Sequence, residues 1–109
     1  MTEDVTPFRV SVIESPDGPV IRPHGDMDMA TADEFDRVTT PLVNAGQATM
    51  TIDMSEVEFC DSTGINTLVR LRNACHGAGG RLSLASLQPQ VRLVLDLTGL
   101  NEFLSVSPQ

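Results

Sequence analysis

The chain has 109 residues, 40% of them hydrophobic, and a formal net charge of -8. That length suits one domain across 1–109, with its core at about 8–106, and is too short for two cores. The sequence contains no lysine, tyrosine or tryptophan; this removes P-loop, Schiff-base and kinase ATP-anchoring chemistry, and with phenylalanine as the only aromatic it argues against a base-stacking platform.

The charge is unevenly spread. Residues 1–61 hold 13 acids against Arg9, Arg22 and Arg37, a net of -10, whereas residues 62–109 hold Asp96 and Glu102 against Arg70, Arg72, Arg81 and Arg92, a net of +2. An acidic chain without a basic stripe is a poor nucleic-acid ligand, because phosphate contacts dominate that affinity. The acidic half reads either as a solvated surface or as a face that steers toward a basic partner. No apolar run reaches membrane-spanning length, and the N-terminus lacks a signal peptide's basic and hydrophobic regions. The expected location is the cytoplasm, without membrane insertion. Cys60 and Cys75 are the only cysteines, no Cys/His cluster has metal-ligand spacing, and both thiols are expected to be reduced, partly buried core residues.

In chain order, Phe8–Ile13 alternates at period two and predicts a strand; Ser15–Pro19 is a turn, and Val20–Gly25 the second strand of a hairpin. Pro23 is unable to donate to a ladder, so that strand should either bulge there or face a partially open side. Thr31 and Glu34 have capping-box spacing ahead of a helix that carries Phe35, Val38 and Leu42, and Pro41 should kink or shorten it. Asp26-Met27-Asp28-Met29 precedes that helix; its methionines either cap the core or offer an adaptable contact ringed by acids.

Thr49–Asp53 predicts a core strand. An acidic loop, Ser55–Phe59, leads to Asp61-Ser62-Thr63-Gly64 at the start of a helix with Ile65, Leu68, Leu71 and Cys75 on its apolar side and Asn66, Arg70 and Asn73 off it. Asp61 and Ser62 are both preferred N-caps, so one of them should cap the first turn; the same turn places a serine hydroxyl where free amides and the helix dipole favour a phosphate. Gly77 is expected to end the helix in the left-handed conformation. Leu82–Ala85 is the next strand, Pro89 opens a third helix with Val91, Val94, Leu95 and Leu97, Gly99 stops it, and Phe103–Val106 is a last short strand. The β-β-α-β-α-β-α-β order predicts an α/β fold: a single mixed sheet, an N-terminal hairpin followed by parallel β-α units, with helices packed mainly on one face.

From Phe8 to Val106 the chain resembles the STAS domain, and within it the free-standing bacterial anti-sigma factor antagonists. The matching pieces are Gly25-Asp26-Met27-Asp28, Ile52-Asp53-Met54-Ser55, Phe59-Cys60-Asp61-Ser62-Thr63-Gly64-Ile65, Gly80 with Leu82 and Leu84, and Gly99-Leu100 with Phe103 and Val106. Thr63 stands where a second serine is common in that family. The resemblance implies a non-catalytic protein without cofactor or metal. Its unphosphorylated form binds an anti-sigma factor with serine kinase activity and so frees a sigma factor. Phosphorylation of Ser62 switches binding off, and a serine phosphatase restores it. Asp28, Asp61, Ser62, Thr63, Ile65 and Asn66 are the expected interface residues.

Three other readings are open to the residues. A receiver domain with Asp53 or Asp61 as phosphoacceptor requires a lysine that the chain lacks. A serine hydrolase would need His24 or His76 as its base. A STAS-type subunit of a lipid transporter or a stress-signalling scaffold would share the fold without the phosphorylation.

Overall fold

The computed structural model describes residues 7–106; the ends of the anticipated 1–109 domain, 1–6 and 107–109, lie outside the described residues. The elements are β1 (Arg9–Ile13), β2 (Val20–His24), α1 (Ala32–Asn44), β3 (Thr49–Asp53), α2 (Ser62–Gly77), β4 (Arg81–Ala85) and α3 (Pro89–Thr98). The four strands form one mixed sheet in the order β1-β2-β3-β4. β1 runs antiparallel to β2, and β2, β3 and β4 run parallel.

Period-two burial fixes which way the sheet faces. Ile21 and Pro23 of β2, Met50 and Ile52 of β3, and Leu82 and Leu84 of β4 are buried, while their neighbours along each strand are half-buried or exposed. The buried set meets Phe35 of α1 and Leu68, Leu71 and Cys75 of α2 in one core. α1 packs on α2, and α2 on β4. The uncovered face is polar, with the Arg22 Nε donating to Asp53 Oδ2 at 2.9 Å and Ser11 Oγ 3.1 Å from His24 Nε2.

Pro23 does not bulge β2. It sits opposite Val10 in the β1 ladder, and the β3 ladder covers only Val20–Thr51 and Ile21–Ile52, stopping short of the residue that has no N–H to give. Pro41 does not shorten α1, which continues to Asn44.

Four local expectations are corrected. The Thr31–Glu34 capping box does not form: Thr31 has no side-chain cap bond, because its hydroxyl instead donates to the Asp26 carbonyl at 2.8 Å and accepts from the Asp28 amide at 3.0 Å. Gly77 remains helical, and the left-handed turn falls two residues later, at Gly79 with φ 85°. Leu97 is exposed; only Val91 and Leu95 of α3 are buried. The last strand shrinks to one bridge between Leu84 and Val106, since residues 101–105 turn instead of extending, with Leu104 anchored in the core. Gly99 does end α3 as expected, at φ 74°.

Candidate functional site

The segment from Ser55 to Asp61 is held on three sides. Met54 and Val57 are buried and anchor it to the core. The Gly25 amide donates to the Glu56 carbonyl at 3.1 Å, the Met27 amide to the Phe59 carbonyl at 3.0 Å, and the Asp61 amide back to the Met27 carbonyl at 3.2 Å. On the other side Gln88 Nε2, at the start of α3, donates to the Ser55 carbonyl at 2.6 Å. The β2–α1 loop, the acidic loop and the head of α3 therefore form one tied surface around the start of α2.

Of the two possible caps at that start, Asp61 is the one used. Its Oδ1 accepts from the Gly64 amide at 2.9 Å, and its carbonyl accepts from Ile65 at 2.9 Å. Ser62 occupies the first helical position, exposed, and its hydroxyl makes no hydrogen bond among the described residues. Thr63, the neighbouring hydroxyl, is half-buried. Ser62 is the more accessible hydroxyl of the two, and the capping role at this helix start falls to Asp61 instead.

Beside Ser62 runs a groove of about 440 Å³ between α2 and α3, lined by Phe59, Asp61, Ser62, Ile65 and Asn66 on one side and Gln90, Val94, Thr98 and Leu100 on the other. Of the six residues expected at an interface, Asp61, Ser62, Ile65 and Asn66 line this groove. Ile65 is only 6% exposed and serves as its wall. Thr63 and Asp28 do not line it. Asp28 is half-buried in the adjoining loop, where its Oδ1 accepts from the Ala30 amide at 2.9 Å. Phe59, Gln90, Val94, Thr98 and Leu100 were not anticipated by sequence reasoning. Phe59, 43% exposed between Glu58 and Asp61, was the one with a signal: a large aromatic in an acidic loop. The two methionines of the Asp26–Met29 run divide the roles proposed for them, Met27 buried and Met29 79% exposed.

No arginine or histidine lines the groove. Cys60, buried at its base, has its thiol pushed up to about 12, first by burial and then by the carboxylates of Asp61 and Asp28, which places both of those charges close to the head of α2. Cys75 is also buried and free, its thiol raised by burial. Neither thiol has the depressed pKa of a reactive cysteine. A larger, polar concavity of about 520 Å³ lies at Arg9, His24, Asp26, Ser55, Glu56, Glu58 and Gln88 and does not include Ser62. Among the described residues no three His, Cys, Asp or Glu side chains gather as metal ligands, and no helix is long and apolar enough to cross a membrane.

The fold that carries this arrangement, a mixed four-stranded sheet with three helices, has counterparts among known proteins. The STAS domain profile matches residues 9–109. The chain belongs to the STAS domain family. An anti-sigma-B factor antagonist of Staphylococcus epidermidis is 24% identical to this STAS protein over 83 residues, covering 76% of this chain and 77% of that one. Among solved structures, an anti-sigma factor antagonist from Mycobacterium paratuberculosis superimposes with a TM-score of 0.83 at 24% identity, over 94% of this chain and 87% of the other. The Bacillus cell fate determinant SpoIIAA in its phosphorylated form superimposes with a TM-score of 0.70 at 19% identity, over 94% and 93% of the two chains. At these identities the structural likeness establishes the fold of the STAS sheet and helices.

Proposed function

We propose that this protein is a cytoplasmic, non-catalytic anti-sigma factor antagonist whose binding is switched by reversible phosphorylation of Ser62. The unphosphorylated form docks on an anti-sigma factor with serine kinase activity and releases a sigma factor; a serine phosphatase resets it. The observation that carries this reading is the division of labour at the head of α2. Asp61 caps the helix, so the exposed Ser62 hydroxyl is spare and stands on the rim of an apolar groove. Names of STAS relatives as anti-sigma-B factor antagonists support the partner class.

The electrostatics suit an off-switch. A phosphoserine adds about -1.5 to -2 charges beside Asp61, in a groove that offers no cation. The amides of the first turn stabilise that charge within the protein, so the fold persists while the surface offered to a partner changes. Going from almost fully bound to almost fully free needs about 5.5 kcal/mol of differential binding. Screened surface repulsion supplies part of this, and the remainder is lost fit where Ser62, Asn66 and the groove wall meet the partner. Asp28 and Thr63 complete the proposed interface from the adjoining surface.

The test is incubation with the kinase-type anti-sigma factor of the same genome and ATP, followed by phosphosite mapping and binding titration. Phosphate on Ser62 with lost affinity is expected. Ser62→Ala should bind and remain unmodified, and Thr63→Ala should still accept phosphate. Phosphate on Thr63 alone would overturn the acceptor, and unchanged affinity after phosphorylation would overturn the switch.

A further inference from the structure

At the far end of α2 from Ser62, about 21 Å along the helix, the charge pattern inverts. Arg72, His76, Gly80, Arg81, Leu82 and Ser105 line a concavity of about 250 Å³. No carboxylate lines it, in a protein whose net charge is -8. Arg72 is braced, its guanidinium carbon 4.2 Å from the centroid of the Phe103 ring and its Nη1 donating to Asn73 at 3.3 Å, which leaves other N–H groups free to face a ligand. Arg81 is exposed, and none of the ion pairs among the described residues uses it or Arg72. Ser105 adds a hydroxyl from a backbone held at φ 54°, a conformation uncommon outside glycine and asparagine.

We propose that this concavity binds a phosphate-type oxyanion, either free phosphate or the phosphate of a monoester. Two guanidinium groups each present a planar set of N–H donors matched to phosphate oxygens, and the imidazole and hydroxyl supply further donors. Two formal positive charges balance a phosphate dianion. The negative pole of α2 points toward this end, which would oppose an anion. That opposition is reduced here because the last carbonyls are occupied: Ala74 and Cys75 accept from Ala78, Cys75 also from Gly80, and His76 from Gly79. The site is independent of the Ser62 switch and requires no change in it.

The experiment follows backbone amide shifts of the labelled full chain during titration with sodium phosphate, with glycerol 3-phosphate, and with sodium chloride at matched ionic strength. A fourth arm uses phosphatidylcholine vesicles with and without phosphatidic acid. Saturable shifts from phosphate and from the monoester, centred on Arg72, His76, Arg81 and Ser105, are expected. Arg81→Gln should weaken them about tenfold or more, the loss of a charge-assisted hydrogen bond, and Arg37→Gln should leave them unchanged. Chloride reproducing the shifts, Arg37→Gln weakening them equally, or binding to vesicles alone would each overturn the proposal.

Discussion

Gly64 packs its Cα directly against the backbone of Met27. A Cβ at Gly64 would overlap the Met27 carbonyl and stand 2.7 Å from the Cys60 Sγ. This contact between the head of α2 and the β2–α1 loop sets the spacing between Ser62 and Asp28, so it couples fold to site.

Gly64→Ala therefore tests that coupling. In an open helix the change would gain about 1 kcal/mol. Here the overlap falls on a backbone carbonyl that cannot swing aside, at the costly end of the ~1–3 kcal/mol range for overpacking. A net loss of stability is expected in denaturant titration, together with weaker partner binding. A more stable Gly64→Ala variant would show that α2 and the loop are not locked together.

The cap assignment yields a contrast between neighbours. Asp61→Ala should cost about 0.5–2 kcal/mol, the usual loss for an N-cap. Ser62→Ala, removing an exposed hydroxyl without a partner, should stay within about 0.5 kcal/mol of wild type. Thermal unfolding of both decides the matter. Equal losses would mean that Ser62 shares the capping role and is not free for modification.

Much of this was legible in the sequence because the signals are local. The strand alternation at Thr49–Asp53, the apolar spacing of Ile65, Leu68, Leu71 and Cys75, and the Asp61-Ser62-Thr63-Gly64 start all reappear in the structure. What failed depended on tertiary competition. Thr31 had the right spacing for a capping box, but the Asp26 carbonyl captures its hydroxyl. Leu97 had the right hydrophobicity for the face of α3, yet Val91 and Leu95 fill the core, Val94 packs against it, and Leu97 faces solvent. The far wall of the groove, Val94, Thr98 and Leu100, follows from where α3 lands against α2, which no single segment specifies.

Cys60 offers a chemical test. With its pKa pushed up to about 12 by burial and by the Asp61 and Asp28 charges, it stays a thiol throughout the neutral range, and the thiolate is the reactive form. Native protein at about pH 8, just below the ordinary thiol pKa, should resist alkylation by iodoacetamide, and both cysteines should react once it is denatured. Rapid native labelling of Cys60, read by mass spectrometry, would show that the base of the groove opens to solvent.

Asp53 sets a pH dependence whose sign can be worked out. Burial alone would raise its carboxyl, but the Ser55 amide and hydroxyl and the Arg22 guanidinium outweigh burial and hold the pKa below the ordinary 3.8. The unfolded chain binds this proton more readily, at about 3.9. Asp53 therefore stabilises the fold above that value, and the contribution fades as pH falls through the lower, folded pKa. Arg22 is 38% exposed, so solvent screening keeps the ion pair itself at roughly 0–1 kcal/mol. Asp53→Asn preserves an acceptor for the Ser55 amide and removes the charge alone. The stability gap between wild type and Asp53→Asn should be full at about pH 7, begin to narrow near about pH 4, and close in more acidic solution. A gap that stays constant across that range would mean that Asp53 binds its proton equally well in the folded and unfolded chain, so that its ionisation contributes nothing to stability. One that widens toward acid would mean that the folded protein holds the Asp53 proton more tightly than the unfolded chain does, the reverse of what its partners dictate.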